Sequence, residues 1–255
     1  MAVGERVLPE ETAVAFIYDG GSYAVMMATP EDLEDFALGF SLSEGIVAAA
    51  EDIRELEVVE QDIGVELRIW LTAPRTKALS ERRRYLAGPT GCGLCGIESL
   101  SEAMRQVPHL GDGQIFGPFD IMQALESLTN RQELNRLTHA VHAAGFWQAG
   151  VGLVAVREDI GRHNALDKLT GALARKHVAG QSGMLLLTSR VTVDLVQKAA
   201  LLGVPVLVAV SAPSALAVRS AEAAGMTLVA IARSDGFEIF THPQRIEASL
   251  AARSA

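Results

Sequence analysis

The chain reads as an α/β protein in which a smaller α+β domain, residues 1–115, precedes a larger α/β domain, residues 116–255. Three observations predict this. From Gly150 onward, near-continuous apolar segments of five or six residues alternate with helical ones, the pattern of a buried, mostly parallel sheet covered on both faces. Before that point, paired strand signals and a capped amphipathic helix dominate. A chain of 255 residues that is 49% hydrophobic and 21% charged can bury a sizeable core.

In the first domain, Ala13–Tyr18 and Tyr23–Met27 flank Asp19-Gly20-Gly21-Ser22, a hairpin signal. Thr29-Pro30-Glu31-Asp32 then offers an N-cap, a proline for the first helical position and acids for the first turn. Leu33, Phe36, Ala37 and Phe40 continue at helical spacing to about Gly45. A second strand pair is expected at Glu55–Val59 and Gly64–Leu71. Helices are expected at Glu98–Val107 and over a long amphipathic stretch, Asp120–Ala144, which carries His139 and His142. Leu125, Leu128, Leu134, Leu137 and Val141 make the apolar side of that stretch, suited to packing between the two domains and at a homodimer interface.

In the second domain the strands are expected at Val151–Val156, Gly183–Thr188, Pro205–Val210 and Thr227–Ile231. The helices between them are Asn164–Lys176, Asp194–Leu202 and Ala215–Ala224. Ligands of such sheets bind at the carboxyl ends of strands. The four tips there are Arg157–Asn164, Thr188-Ser189-Arg190, Ser211–Ser214 and Ala232–Gly236. Polar tips also simply cap helices. Arginine in three of the four favours an anion pocket, with Arg162, Arg190 and Arg233 as forked donors to phosphate and Asp159 or Asp235 as acceptors from an amino-bearing base. None of these tips is a G-x-G-x-x-G or a P-loop, so ordinary dinucleotide and P-loop chemistry is not indicated.

The two cysteines of the chain, Cys92 and Cys95, sit together in Gly88–Gly96, and Arg82-Arg83-Arg84 lies just upstream. Glycines leave such a loop open to close approach, and nearby cations favour thiolate over thiol. Three readings compete: half of a zinc site borrowing His139 and His142, redox or sulfur-transfer chemistry, and cysteines that are merely small. A formal charge of −9, from 22 basic and 31 acidic residues, argues against a general nucleic-acid binder. The apolar stretches are interrupted and too short to span a bilayer. The first residues have neither the basic start nor the apolar run of a signal peptide, so the expected compartment is the cytoplasm.

Four segments in order resemble the FdhD family, the accessory sulfurtransferases of formate dehydrogenase. They are Gly91–Gly96, Glu158–Lys168, Ser189-Arg190 leading into Val196-Gln197-Lys198, and Thr241–Arg245. The resemblance implies a three-layer, cytidine-deaminase-like larger domain. It implies Cys92 as the persulfide-bearing residue and Cys95 as its companion, taking sulfur from a cysteine desulfurase. The acceptor it implies is the molybdenum cofactor, bis(molybdopterin guanine dinucleotide), bound as substrate for delivery to formate dehydrogenase. Ile231, Ala232, Arg233, Ser234, Asp235 and Gly236 would line its guanine-nucleotide site, beside Arg162, His163, Asn164 and Arg190. No zinc is implied: a deaminase needs H-x-E and P-C-x-x-C, whereas His163 is followed by Asn164 and Ala165 and no proline directly precedes Cys92. A non-catalytic chaperone that only binds the cofactor is the rival from another class, and it would survive loss of the cysteines.

Overall fold

The computed structural model describes residues 6–86, 107–233 and 235–247. Strands β1 (Thr12–Tyr18) and β2 (Gly21–Ala28) form the expected hairpin, turning at Asp19 and Gly20, both with positive φ. Asp19 ties that turn down by accepting from the Leu71 N–H at 3.0 Å and the Thr76 hydroxyl at 2.8 Å. The second expected pair is present as β3 (Ile53–Gln61) and β4 (Gly64–Leu71), and β4 runs parallel to β1 in the order β2-β1-β4-β3. Helix α2 (Ala73–Leu86) follows β4.

Helix α1 (Leu33–Ser43) lies on the inner face of this sheet, with Phe36, Ala37 and Phe40 against Val14, Phe16 and Leu67. It starts later than the sequence suggested. Its N-cap is Asp32, at φ 56°, and Thr29 is completely buried elsewhere because its N–H and hydroxyl bind Asp159. Most of α1 is buried on all sides, since its other face meets the helix Arg162–Arg175.

The long helix expected at Asp120–Ala144 is instead three elements: α3 (Pro118–Asn130), α4 (Glu133–Thr138) and strand β5 (His142–Gln148). His139, at φ 53°, ends α4. The Glu158 carboxylate accepts from the Leu134 and Asn135 N–H groups, both at 2.8 Å, and so starts that helix separately. Residues 143–147 are buried whichever way they point, as a central strand requires and a half-exposed helix does not. Leu137, assigned to the apolar stripe, is 58% exposed.

Strand β6 (Gly152–Asp159) returns antiparallel to β5. Then follow α5 (Arg162–Arg175), β7 (Met184–Leu187), α6 (Val193–Leu201), β8 (Val206–Ala209), α7 (Ala215–Ala224), β9 (Thr227–Arg233) and β10 (Gly236–Thr241). The order is β10-β9-β8-β7-β5-β6. The sheet is mixed where a mostly parallel one was expected: only the β7–β8 and β8–β9 pairs are parallel. The reason is the hairpin of β5 and β6, whose turn uses Gly150 and Gly152 at positive φ, together with β10, which folds back on β9.

Three layers result. On one face α5, α6 and α7 bury Leu166, Leu195 and Ala221 against Phe146, Leu185 and Leu207. The other face buries α3, through Ile121 and Leu128, against Trp147, Met184 and Val208. Residues leading into α3 pack on this sheet as well: Leu110 donates to Ala224 O at 2.8 Å and Phe116 bridges to Ile246. The helix expected at Glu98–Val107 lies, but for Val107, outside the described residues.

The two sheets are joined through α1 and α5. These helices cross at Gly39 and Gly171, where a side-chain carbon would come within 1.7 Å of Asp167 O and 1.9 Å of Asp35 O. Glycine at both positions is what allows backbones this close. Beside the crossing, Lys168 stands over the Phe36 ring at 5.7 Å and Lys198 over the Phe40 ring at 5.9 Å. Arg157 and Arg175 both reach the buried Asp35, at 2.5 and 3.1 Å. Lys198 binds both oxygens of Asp167 at 2.8 Å and stands 3.5 Å from Glu44.

Candidate functional site

Strand β6 is antiparallel to β5, and β5 to β7, so β6 points the same way as β7, β8 and β9. The four polar tips therefore gather at one edge of the large sheet, as the sequence suggested. The structure divides their residues into two kinds.

The first kind is buried and committed to protein partners. Asp159 is fully buried, and its Oδ2 accepts from the Thr29 N–H and hydroxyl, both at 3.0 Å, and from Lys168 Nζ at 2.7 Å. Its Oδ1 accepts from the Gly161 N–H at 2.8 Å and from Asn164 Nδ2 at 2.9 Å. With its lone pairs taken in this way, Asp159 cannot also receive an amino-bearing base, which corrects that expectation. Asn164 is buried too, and the same amide nitrogen donates to Met27 O at 2.8 Å. A side-chain carbon at Gly161 would lie 2.8 Å from that amide and would push it off its two acceptors. Asp167 holds Lys198; burial pushes its carboxyl up, while the Lys198 charge opposes. Ser214 caps α7 by accepting from the Ala217 N–H at 3.2 Å, so this polar tip is a helix cap.

The second kind faces the edge. Arg162 opens α5 and is half-buried, and its Nε has no hydrogen-bond partner among the described residues. Arg190, after β7, and Arg233, at the end of β9, are exposed, and neither has an ion pair among the described residues. His163 Nε2 contacts Asp194 Oδ2 in the first turn of α6. Burial would push the Asp194 carboxyl up, but hydrogen bonding, chiefly from His163, outweighs it and holds the group below the usual carboxylate range.

His142 belongs to this group and was missed, because the sequence placed it on a helix. As the first residue of β5, it is paired in register with Asp159, while its neighbour Ala143 is held by the Thr188 hydroxyl at 2.8 Å. It therefore stands between two of the tips. Burial, then the charges of Arg162 and His163, lower its pKa, so the ring is neutral at neutral pH. The signal available in the sequence was the run His142–Trp147, apolar after its first residue and bounded by a turn.

Strand β9 ends in an unusual backbone. Ile231 has φ 52°, which a β-branched residue adopts at a cost of roughly 1–3 kcal/mol. It sits where the β9–β10 register slips between the Ala230–Glu238 and Arg233–Gly236 pairs. Its N–H donates to Ser211 O at 3.3 Å, joining the third tip to the fourth. Ala232 is buried on the far face of the sheet, Asp235 is exposed in the turn, and Gly236, at φ 145°, opens β10. Ser234, Cys92 and Cys95 lie outside the described residues.

The model of the FdhD/NarQ family matches residues 9–247. The chain belongs to that family. It is 53% identical over 247 residues to the sulfur carrier protein FdhD of Agrobacterium fabrum, covering 96% of this chain and 91% of the relative. With the protein of the same name from Bordetella bronchiseptica it shares 46% identity over 239 residues, 94% of this chain and 87% of that one. Among solved structures, one from Desulfotalea psychrophila, described as a formate dehydrogenase accessory protein, superposes with a TM-score of 0.74 at 28% identity. It covers 94% of this chain and 90% of that one. The resemblance drawn from the four FdhD motifs therefore holds over the whole described fold. The Glu158–Lys168 motif largely builds the edge, and within it Arg162 and His163 stand half-buried at the start of α5, outside the hydrogen bonds of Asp159. No described helix is long and apolar enough to cross a membrane.

Proposed function

We propose that the chain is a sulfur carrier that takes persulfide sulfur from a cysteine desulfurase and passes it to molybdenum bis(molybdopterin guanine dinucleotide) for formate dehydrogenase. The observation that carries this reading is the row of cations without acidic partners among the described residues, Arg162, Arg190 and Arg233, at one sheet edge in a family whose curated members are named sulfur carrier proteins. At the junction of α1 and α5, by contrast, Lys168, Lys198 and Arg157 are matched by carboxylates. An unmatched cationic edge suits an anionic substrate, and forked guanidinium donors suit a diphosphate. Residues Ile231 to Gly236 would border the guanine, with the backbone turned at Ile231 to open the end of β9.

In this mechanism the Cys92 thiolate attacks the outer sulfur of the desulfurase persulfide. The S–S bond there breaks, the desulfurase cysteine leaves as a thiolate, and Cys92 carries the persulfide. A Cys95 thiolate attacking the inner sulfur then expels the outer sulfur as hydrosulfide toward the bound substrate. This leaves a Cys92–Cys95 disulfide, which a dithiol reductant returns to thiols. The larger domain would be a cytidine-deaminase-like layering reused without zinc chemistry, and the working form a cytoplasmic homodimer.

Mass spectrometry after incubation with a desulfurase and cysteine tests the carrier step. The wild type should gain one sulfur and Cys92→Ala none. A strain carrying only Cys92→Ala should lose formate dehydrogenase activity while the variant melts like the wild type. Normal activity in that strain would leave a cofactor-binding chaperone in place of a carrier.

A further inference from the structure

We infer that Thr29, in the small domain, is a positioning residue for the strand-end edge, a role that rests on reading that edge as the site for a guanine-nucleotide portion of the substrate. Thr29 is completely buried and all of its polar atoms are engaged. Its N–H and hydroxyl donate to Asp159 Oδ2 at 3.0 Å. Its carbonyl and hydroxyl oxygens accept from Lys168 Nζ at 3.0 and 2.7 Å. The other oxygen of the same carboxylate holds the Gly161 N–H and the Asn164 amide. Gly161 is the N-cap of α5 and Arg162 is its first residue. One carboxylate therefore links Thr29 on one side to the backbone that aims Arg162 and His163 on the other.

The chemistry calls for a hydroxyl at this position. A hydroxyl is one donor and two acceptors, so it can serve a carboxylate and an ammonium together. Valine has nearly the same shape and offers neither, leaving Lys168 short of an acceptor and Asp159 short of a donor in a site closed to water. Pro30 follows and biases Thr29 toward extended backbone, which disfavours a helix starting there and suits the tie to Asp159. The hub also reaches β2, since Asn164 donates to Met27 O. The hairpin-to-helix junction of the small sheet is thus part of the frame of a site on the large one.

The test is calorimetric titration of GDP into the full chain, at a temperature where circular dichroism shows every variant folded. Thr29→Val should weaken GDP binding about tenfold, the effect of misplacing one charge-assisted contact. Thr29→Ser should recover most of the wild-type affinity by restoring the hydroxyl. Leu173→Ala, a truncation in the core near the other end of α5, should lower the melting temperature yet bind GDP like the wild type. If Thr29→Val does not fold, Thr29→Ala removes the hydroxyl with less bulk against Lys168 and should show the same loss. Wild-type affinity in the folded Thr29 variants, alongside loss in Arg162→Ala, would overturn the positioning role and leave the ligand reading standing. Loss in Leu173→Ala equal to that in Thr29→Val would reduce Thr29 to a general contributor to stability. Absence of GDP binding by the wild type would overturn the ligand reading and the inference with it.

Discussion

At the α1–α5 junction, buried cations have acidic partners: Lys168 with Asp159, Lys198 with Asp167 and Glu44, Arg157 with Asp35. Along the strand-end edge, a few residues away, Arg162, Arg190 and Arg233 have none among the described residues. Burial makes an unpaired charge expensive, so pairing at the junction follows from stability alone. At a half-open edge water lowers that penalty, and charges left unmatched there retain their attraction for an anionic ligand. The contrast separates cations that hold the fold from cations without acidic partners among the described residues, within a single motif: Lys168 belongs to the first group and Arg162 to the second.

The largest effect that would sharpen this contrast is on stability. Lys168→Met should destabilise the chain by about 3 to 5 kcal/mol, because Asp159 would stay buried without its cation. For a chain of this length that is a fall in melting temperature of roughly 10 °C. A variant melting like the wild type would show that the hub does not depend on the pair.

Smaller, and of the opposite kind, are the edge arginines. Arg162→Ala, Arg190→Ala and Arg233→Ala should each weaken GDP binding by about 1.5 to 3 kcal/mol while leaving the melting temperature nearly unchanged. Three variants that bind GDP normally would misplace the pocket.

The smallest expected effect concerns His142. Burial holds its pKa in the fold below the ordinary histidine value of 6.5, so as pH falls the unfolded chain takes up the proton first. Its contribution to stability is therefore present above about pH 6.5 and is lost as pH falls through the lower folded value. His142→Gln should flatten the fall in melting temperature between about pH 7 and pH 5 relative to the wild type. An unchanged slope would mean that other groups control the acid limb. Asp194, also depressed, acts in the same direction but at lower pH, below the usual carboxylate value of 3.8.

Much of the large domain was legible because its strands are short apolar runs and its helices carry an apolar stripe. Strands β7, β8 and β9 and helices α5, α6 and α7 fall within a few residues of their expected positions. The place of Arg162, Arg190 and Arg233 at the strand ends was legible as well, since strand ends follow from local pattern. Three features were not. Asp120–Ala144 carries apolar residues at a spacing that suits a helix, but Glu158 and the burial of both faces of β5 break it into two helices and a strand. Thr29-Pro30-Glu31-Asp32 has the composition of a helix start, yet Asp159, 130 residues away, competes for the Thr29 hydroxyl and N–H. Strand β10 was not foreseen, because Gly236–Thr241 is short and mostly half-exposed and so lacks the apolar run of its neighbours.

What the sequence determined by itself is the local grammar: where apolar periodicity switches, where cysteines and arginines concentrate, and which motifs mark the family. Only the tertiary structure decided which polar residues of the Glu158–Lys168 motif are spent on the fold and which are left at the half-open edge. The physical reason is that a buried polar group must find a partner, and here the partners lie at the end of a strand of the other sheet and in the residue just after it, far along the chain from the motif they satisfy.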